Sequence, residues 1–386
     1  MDVELFERSP IGRLEKISGD HRGEPFSHFA YVPDPLPALL PLSPETVQTL
    51  TDTAAALGRL DGAGSRLPNP HLLVRPAIRR EAVSTSALEG TFTTLPQILQ
   101  GELFEGDESP SRDVDEVLSF VRASELGFAR VKHGPMGLNL IKEMHRILLQ
   151  NDPDYSDADK GEFRQRQNFI GPRDGRVEDS QFVPPPAQDV KPGLYAWEDW
   201  IHQPKVHLLI RVALGHYQFE TIHPFVDGNG RLGRLIAVLM LLEDGELLSV
   251  PLLTISPRLE ARRDEYQERL RQVTISGDFD PWVRFFTDNL RASAVDALDK
   301  TERLMALRVE FVETLRAMKM RGLSIQIAED LIGDPILSTT QVAKRYSVTY
   351  PAALYALNRM VEAGVLEPLT VRGHKAYFSP RVLEIL

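Results

Sequence analysis

The chain has 386 residues, 42% apolar and 26% charged, proportions that exclude a largely disordered or fibrous protein and predict two or three domains with their own cores. A net charge of −11 and the lack of any cysteine exclude disulfides, thiolate metal sites, and a surface that coats nucleic acid or an anionic membrane over its whole extent. The opening MDVELFERSP has no basic-then-apolar leader, and no apolar run approaches the roughly 18 residues of a bilayer span, so the expectation is a cytoplasmic protein without membrane association.

The first 50 residues read as loop-rich, with prolines in YVPDPLPALLPLSP, and are expected to lie along a larger body without a core of their own. A helix is predicted after Ser43, with Pro44 at its first position and Val47, Leu50 and Leu57 at helical spacing. After the turn signals DGAGS and LPNP, a second helix is predicted from near Pro76 to Gly90, PAIRREAVSTSALEG. Further helices follow to Trp200, including VDEVLSFVRASELGFARV and LNLIKEMHRILLQ, with apolar residues three and four apart. Between these and the next helices, RQRQNFIGPRDGRVEDSQFVPPP is rich in turn residues and predicts a hairpin with short strands at Gln167 to Ile170 and Gln181 to Val183. More helices lead to a long helical exit, and from Ile336 onward the order becomes helix, turn, helix, strand, glycine turn, strand, which resembles a winged helix. In that reading Tyr350 to Ala363 take the recognition-helix position and Arg372 to Lys375 the wing tip. This tail holds six Lys/Arg against three Asp/Glu, a balance of +3 in an acidic chain.

The chemistry concentrates in FETIHPFVDGNGRLGR, Phe219 to Arg234. Gly228, Gly230 and Gly233 match the G-x-G-x-x-G spacing of a dinucleotide fold. That fingerprint needs a strand before it, whereas the preceding residues have helical period. An anion cradle fits better: Gly228 and Gly230 let successive N–H groups point into one hollow, and a helix starting near Arg231 adds its positive end. Arg231 and Arg234, three apart, supply guanidinium forks for a polyphosphate. Asp227 would repel that phosphate unless a divalent cation stood between them, which predicts Mg²⁺. His223 is the group able to take a proton near neutral pH. These parts describe transfer of a phosphate-linked group to a hydroxyl.

HPFVDGNGRLGR also resembles, at every fixed position, the Fic (Fido) signature H-P-F-x-[DE]-G-N-G-R-x-x-R. The resemblance implies a protein adenylyltransferase, in which a Ser, Thr or Tyr hydroxyl of a target protein attacks the α-phosphate of ATP and takes AMP. It implies His223 as base, Asp227 as Mg²⁺ ligand, Gly228, Asn229 and Gly230 as anion hole, Arg231 and Arg234 as clamps on the β- and γ-phosphates, and Phe225 as core. Other histidines, including His145, His202, His207 and His216, lack neighbours at metal-ligand spacing and read as structural.

TSALEG, Thr85 to Gly90, resembles the family's inhibitory motif [ST]-x-x-x-E-[GN], with Thr85, Glu89 and Gly90 at its fixed positions. The implied role of Glu89 is a bidentate pair with Arg234 in the place of the γ-phosphate. Such a charge-assisted pair contributes about 1.5–3 kcal/mol, enough to disfavour productive ATP by about one to two decades. Ser86 and Glu89 also fit a capping box, but the glycine that follows marks a helix end. The hairpin resembles the family's flap, which holds a target segment by strand addition, with Gln167, Asn168, Phe169 and Ile170 as contacts. LEARRDEYQERLRQVT resembles the segment lining the nucleoside, with Tyr266 and Leu270 beside the base; Gln267 departs from the paired tyrosines of many relatives.

The expected architecture is mainly α: a Fic-type helical bundle with a β-hairpin flap plus a small C-terminal winged-helix (α+β) domain. Its divisions are 1–105 (N-terminal region with an inhibitory helix at about 76–90), 106–292 (catalytic core), 293–329 (helical linker) and 330–386 (winged-helix-like domain). Two other readings stay open: removal of AMP or transfer of another nucleotide at the same site, and a DNA-binding regulator with the Fic core as sensor. The tail fits DNA, protein contact or dimerisation, and many relatives form a homodimer through the helical core. A balance of +3 is modest for phosphate neutralisation.

Overall fold

The structure is a computed structural model and describes all residues except 22, 68, 104–110, 172–175 and 372. The chain opens with α1 (Val3–Glu7) and a long antiparallel hairpin, β1 (Gly12–His21) and β2 (Glu24–Pro33), in register from Gly12↔Pro33 to His21↔Glu24. This corrects the loop-rich reading of the first 50 residues. The hairpin hides from a hydrophobicity pattern because its outer half is at most partly buried, through histidines (His21, His28) as well as Phe26, and only Ala30, Tyr31 and Val32 are buried, at its base. There the Tyr31 N–H donates to Val183 O (2.9 Å), and Phe6 and Tyr31 pack on Phe182.

The helical body follows as α2 (Pro44–Gly64), α3 (His71–Leu88), α4 (Leu95–Leu103), α5 (Arg112–Arg130), α6 (Leu138–Leu148), α7 (Ala187–Ile201), α8 (Leu208–Ile222), α9 (Asn229–Asp244), α10 (Ser256–Glu260), α11 (Arg263–Ser276), α12 (Asp280–Ala317) and α13 (Leu323–Asp330). α2 starts as the sequence predicts, Ser43 Oγ accepting from Thr46 N in front of Pro44. α8 and α9 form the centre. Both are buried around nearly their whole circumference, polar residues such as His216 and Arg234 included, as helices covered on all sides. Trp197 of α7 and Trp282 of α12 each bury an indole N–H against α8, donating at 2.8 Å to Gly215 O and Ala213 O. The boundary expected between 292 and 293 falls inside α12, which runs unbroken for 38 residues.

α3 starts at His71, a turn and a half before the predicted start, with Pro76 inside it. A proline there removes one donor, the partner of the Leu72 carbonyl. The backbone of Gly333 packs against this place, where a Cβ would lie 2.7 Å from Leu72 O. Further along α3, Arg79 is buried and splits its fork between Glu102 (Nε to Oε1, 3.0 Å) and the 333–334 turn: Nη1 donates to Gly333 O (2.8 Å), Nη2 to Asp334 Oδ1 (3.0 Å). Asp334 also pairs with Arg75 (2.9 Å) and Arg345 (2.8 Å).

That turn leads into the C-terminal unit, β3 (Ile336–Ser338), α14 (Thr339–Arg345), α15 (Tyr350–Glu362), β4 (Glu367–Val371), β5 (His374–Phe378) and α16 (Pro380–Leu383), whose antiparallel sheet has the order β3-β5-β4. α15 exposes Tyr350 and Tyr355, and its Arg359 pairs with Glu362 (2.7 Å). Of the expected wing tip, Arg372 lies outside the described residues. Among the described residues, no helix is long and apolar enough to cross a membrane.

Candidate active site

Phe219 to Arg234 folds as helix, loop, helix. α8 ends because His223 turns into the left-handed region (φ 50°, ψ 62°), which costs a residue with a side chain about 1–3 kcal/mol. α9 begins at Asn229, two residues before the predicted start, after Gly228 makes the same turn (φ 74°). A Cβ on Gly228 would also lie 2.8 Å from Leu148 Cδ2, so both backbone and space call for glycine. The Asn229 side chain folds back on the loop, accepting from Phe225 N (2.8 Å) and donating to Phe225 O (2.9 Å). Its share in an anion hole therefore falls to its backbone at the helix start. Phe225 is buried, stacked on His145 at 3.9 Å, and His145 spans the site by accepting from Gly161 N (2.8 Å) and donating to Asp227 O (3.1 Å).

His223 Nδ1 lies 3.3 Å from Glu220 O. A carbonyl only accepts, so the proton sits on Nδ1 and Nε2 keeps a lone pair. Burial, then the nearby Arg164 charge, pushes the imidazole pKa down to about 4, leaving it neutral at pH 7. His223 lines a cavity of about 670 Å³ together with Glu89, Ile170, Gly230, Arg234, Tyr266 and Leu270, a size suited to a nucleotide.

The cradle in that cavity already holds a carboxylate. Glu89 follows the last turn of α3 and precedes Gly90, whose φ of +94° ends the helix. A Cβ on Gly230 would lie 2.2 Å from Glu89 Oε1, so Glu89 rests against the first turn of α9, where backbone N–H groups and helix dipole favour an anion. Arg234 Nη2 donates to the same oxygen at 2.6 Å. The pair is not the bidentate one expected: Arg234 turns Nε to Thr85 Oγ1 (2.7 Å), and Nη2 also reaches Thr85 O (3.0 Å). Three motif residues, Thr85, Glu89 and Arg234, thus form one unit, with Arg234 and Thr85 fully buried.

Arg231 points elsewhere. It is buried between Glu116 of α5 (2.5 Å) and Asp227 (3.1 Å) and does not line the cavity. It stands beside Arg234 in sequence, but the two forks face different carboxylates. Thr91, two residues after Glu89, donates to Glu116 at 3.0 Å, joining the Thr85–Gly90 segment to this second cluster. Among the described residues no group of three or more acids or histidines forms a metal cage. Asp227, partly exposed and paired with Arg231, offers one carboxylate to an ion such as Mg²⁺, which takes one or two carboxylates and keeps water and substrate phosphates as its other ligands.

The flap is less of a sheet than expected. Among the described residues, Ile170↔Phe182 is the one bridge of the hairpin, whose tip, 172–175, lies outside them. Gln167 Nε2 donates to Pro184 O (2.7 Å), Asn168 Nδ2 donates to Phe225 O (2.7 Å), and the Phe169 ring meets His21 and Phe26 of the β1–β2 hairpin at 4.8 and 5.2 Å. Of the four, Ile170 lines the cavity. Tyr266 does too, yet it is buried and held to His216 Nε2 (2.7 Å).

Three residues at the site carry no sequence signal of their own. Glu116 holds Arg231. Arg164 donates to the carbonyls that flank His223. Glu220 sits three residues before His223, which is legible as the same helix face, but its burial is not: its Oε1 has no hydrogen-bond partner and burial pushes its pKa up to about 7.

Comparison with known proteins points to one family. The profile of the Fic/DOC family matches residues 135–241, and that of the Fic/DOC family N-terminal region matches residues 47–129. Among curated proteins, the chain is 33% identical over 152 residues to protein adenylyltransferase Fic of Drosophila willistoni, covering 38% of this chain and 26% of that one. It is 31% identical over 175 residues to the protein of the same name from Nematostella vectensis, covering 45% and 35%. The chain thus spans about a third or less of the length of these relatives. Among solved structures, a Fic family protein from Desulfovibrio desulfuricans G20 aligns with a TM-score of 0.57 at 20% identity, over 88% of this chain and 97% of that one. A Fic domain containing signaling protein from Bacteroides thetaiotaomicron aligns with a TM-score of 0.50 at 20% identity, over 67% and 97%. The chain thus carries a Fic/DOC family domain at residues 135–241 behind that family's N-terminal region at residues 47–129, and its structural neighbours share the mainly helical fold.

Proposed function

We propose that this protein transfers AMP from ATP to a hydroxyl of a target protein and holds itself in check through Glu89. One observation carries the reading: a neutral imidazole with its lone pair on Nε2 faces the same cavity in which Glu89 fills the cradle at Gly230 and engages Arg234. The names of the curated relatives support it.

In this reading the target hydroxyl gives its proton to His223 Nε2, and its oxygen bonds to the α-phosphorus of ATP. The bond from that phosphorus to the bridging oxygen breaks, so AMP stays on the target and pyrophosphate leaves. Arg234, released from Glu89, binds the γ-phosphate, and the start of α9 takes the negative charge of the remaining phosphates. Mg²⁺ at Asp227 would neutralise part of that charge. Arg231 joins the clamp only after exchanging Glu116 or Asp227 for phosphate. The C-terminal unit we read as a winged helix that contacts protein in preference to DNA, because the exposed face of α15 offers two tyrosines and an arginine already paired.

ATP labelled at the α-phosphate tests the assignment. Label should appear on protein weakly with the parent chain, strongly with Glu89→Gly, and not with Glu89→Gly/His223→Ala. Label arriving from the γ-phosphate instead, or equal labelling by parent and Glu89→Gly, would overturn it.

A further inference from the structure

Arg164 is buried to 2% exposure, and no acid among the described residues neutralises it. Burial alone pushes its pKa down to about 10, so it remains charged at pH 7. Such a residue persists only if its donors are matched, and every recorded partner is a main-chain carbonyl. Nε donates to His223 O (2.8 Å), Nη2 to Pro185 O (2.6 Å) and Ile222 O (3.3 Å), and Nη1 to Arg166 O (3.2 Å). Its own N–H donates to Pro224 O (2.9 Å). One side chain thus grips the carbonyls of residues 222 and 223, on either side of the left-handed turn at His223, and ties them to the end of the flap at Pro185.

That turn is a strained conformation for a residue with a side chain, and it aims the imidazole into the cavity. In α8 proper, the Ile222 and His223 carbonyls would be capped by later N–H groups of the helix. Because the chain turns away, they need an outside donor. A planar fork can serve several carbonyls in fixed directions, whereas an ammonium cannot hold that geometry.

We infer that Arg164 is the positioning residue of His223, fixing the left-handed turn and with it the direction of Nε2 toward the acceptor hydroxyl. The role rests on His223 acting as base. The charged groups around the imidazole are Arg164, Glu89 and Asp227, with Glu220 supplying the carbonyl for Nδ1.

Two variants, Arg164→Lys and Arg164→Met, each built into the full chain and into Glu89→Gly, test this. In Glu89→Gly, Arg164→Met should lower kcat on the order of 10²-fold, the size of a catalytic-group misplacement, while KM for ATP stays unchanged. Arg164→Lys, which keeps the charge but not the fork, should fall between. Nitrogen-15 spectra of histidine-labelled protein give a readout independent of turnover: the His223 signal, assigned by its loss in His223→Ala, should show an Nδ1–H tautomer in the parent and lose it in Arg164→Met. A folded Arg164→Met with unchanged kcat and an unchanged tautomer would overturn the inference. So would a loss confined to KM, or failure of Arg164→Lys to fold, which would make the residue part of the general scaffold. If Glu89→Gly itself transfers no label, the tautomer still decides the case for Arg164.

Discussion

Glu89 Oε1 lies where a side chain on residue 230 would have to be, 2.2 Å from an ideal Cβ on Gly230. The Glu89 carboxylate and the first turn of α9 are therefore fitted to each other, and in the proposed self-inhibition the absence of a side chain at 230 counts as much as the Arg234 pair. The prediction is that Gly230→Ala expels Glu89 without restoring activity, since the added methyl also fills the seat of a phosphate. Transfer should stay at or below the parent's level, and calorimetry should detect weaker ATP binding than in Glu89→Gly. A Gly230→Ala protein as active as Glu89→Gly would mean that Glu89 acts through Arg234 alone.

Thr85 bears on the strength of that pair. Its hydroxyl accepts from Arg234 Nε at 2.7 Å in a fully buried setting, and hydrogen bonds to charged groups contribute about 1.5–3 kcal/mol. Thr85→Val keeps the shape and removes the acceptor, so Arg234 gains freedom to leave Glu89. We expect labelling from α-phosphate-labelled ATP to rise above the parent but to stay below Glu89→Gly. No rise would show that Glu89 alone sets the orientation of Arg234.

How much of this was legible beforehand differs by residue. His223, Glu89 and Arg234 could be singled out because each lies in a short motif, and the packing of α3 against α9 brings Glu89 and Arg234 together although they are 145 positions apart. Helix starts such as Pro44 were legible from a local cap. What was not legible depends on tertiary burial. Arg231 and Arg234 look equivalent at i and i+3, yet only the packing of α5 decides that Glu116 takes the first. The β1–β2 hairpin was hidden because the partly buried positions of its outer half include His21 and His28, so the sequence there does not alternate apolar with polar residues. Arg164 reads as one more charge in a turn-rich stretch until the carbonyls around His223 are in place.

Glu220 should give the site a pH dependence. Burial raises its pKa to about 7, Arg234 opposes the rise and Glu89 adds to it. With a folded pKa above the unfolded one, its contribution to stability is fully present below the unfolded value and is lost as pH rises through about 7. Once Glu89 is removed the transition moves lower, and an ionised Glu220 then competes with phosphate for Arg234. Glu89→Gly/Glu220→Gln should therefore bind ATP more tightly than Glu89→Gly at pH 8, with the gap closing at pH values where Glu220 is protonated. Calorimetric affinities that differ equally at both ends of the range would rule out this competition.

Asp334 is the point where α3, which carries Glu89 at its end, meets the turn into the C-terminal unit. Burial would raise its pKa, but Arg79, Arg345 and Arg75 together hold it below the usual carboxylate value. Its stabilising share is thus present at neutral pH and is lost as pH falls through the folded pKa. Asp334→Ala takes one of two carboxylate partners from Arg79, whose side chain is 8% exposed and which keeps Glu102, and losing a hydrogen bond to a charged group costs about 1.5–3 kcal/mol. Denaturant unfolding should show a loss of that order at pH 7, shrinking in acid. Since Arg79 and Glu89 lie ten residues apart on one helix, about 15 Å, loosening the far half should also weaken the seat of Glu89. Labelling by Asp334→Ala at a temperature where it stays folded is expected to exceed the parent's. Unchanged labelling in a destabilised variant would mean that the last turn of α3 is held by Thr85 and Arg234 without help from the C-terminal unit.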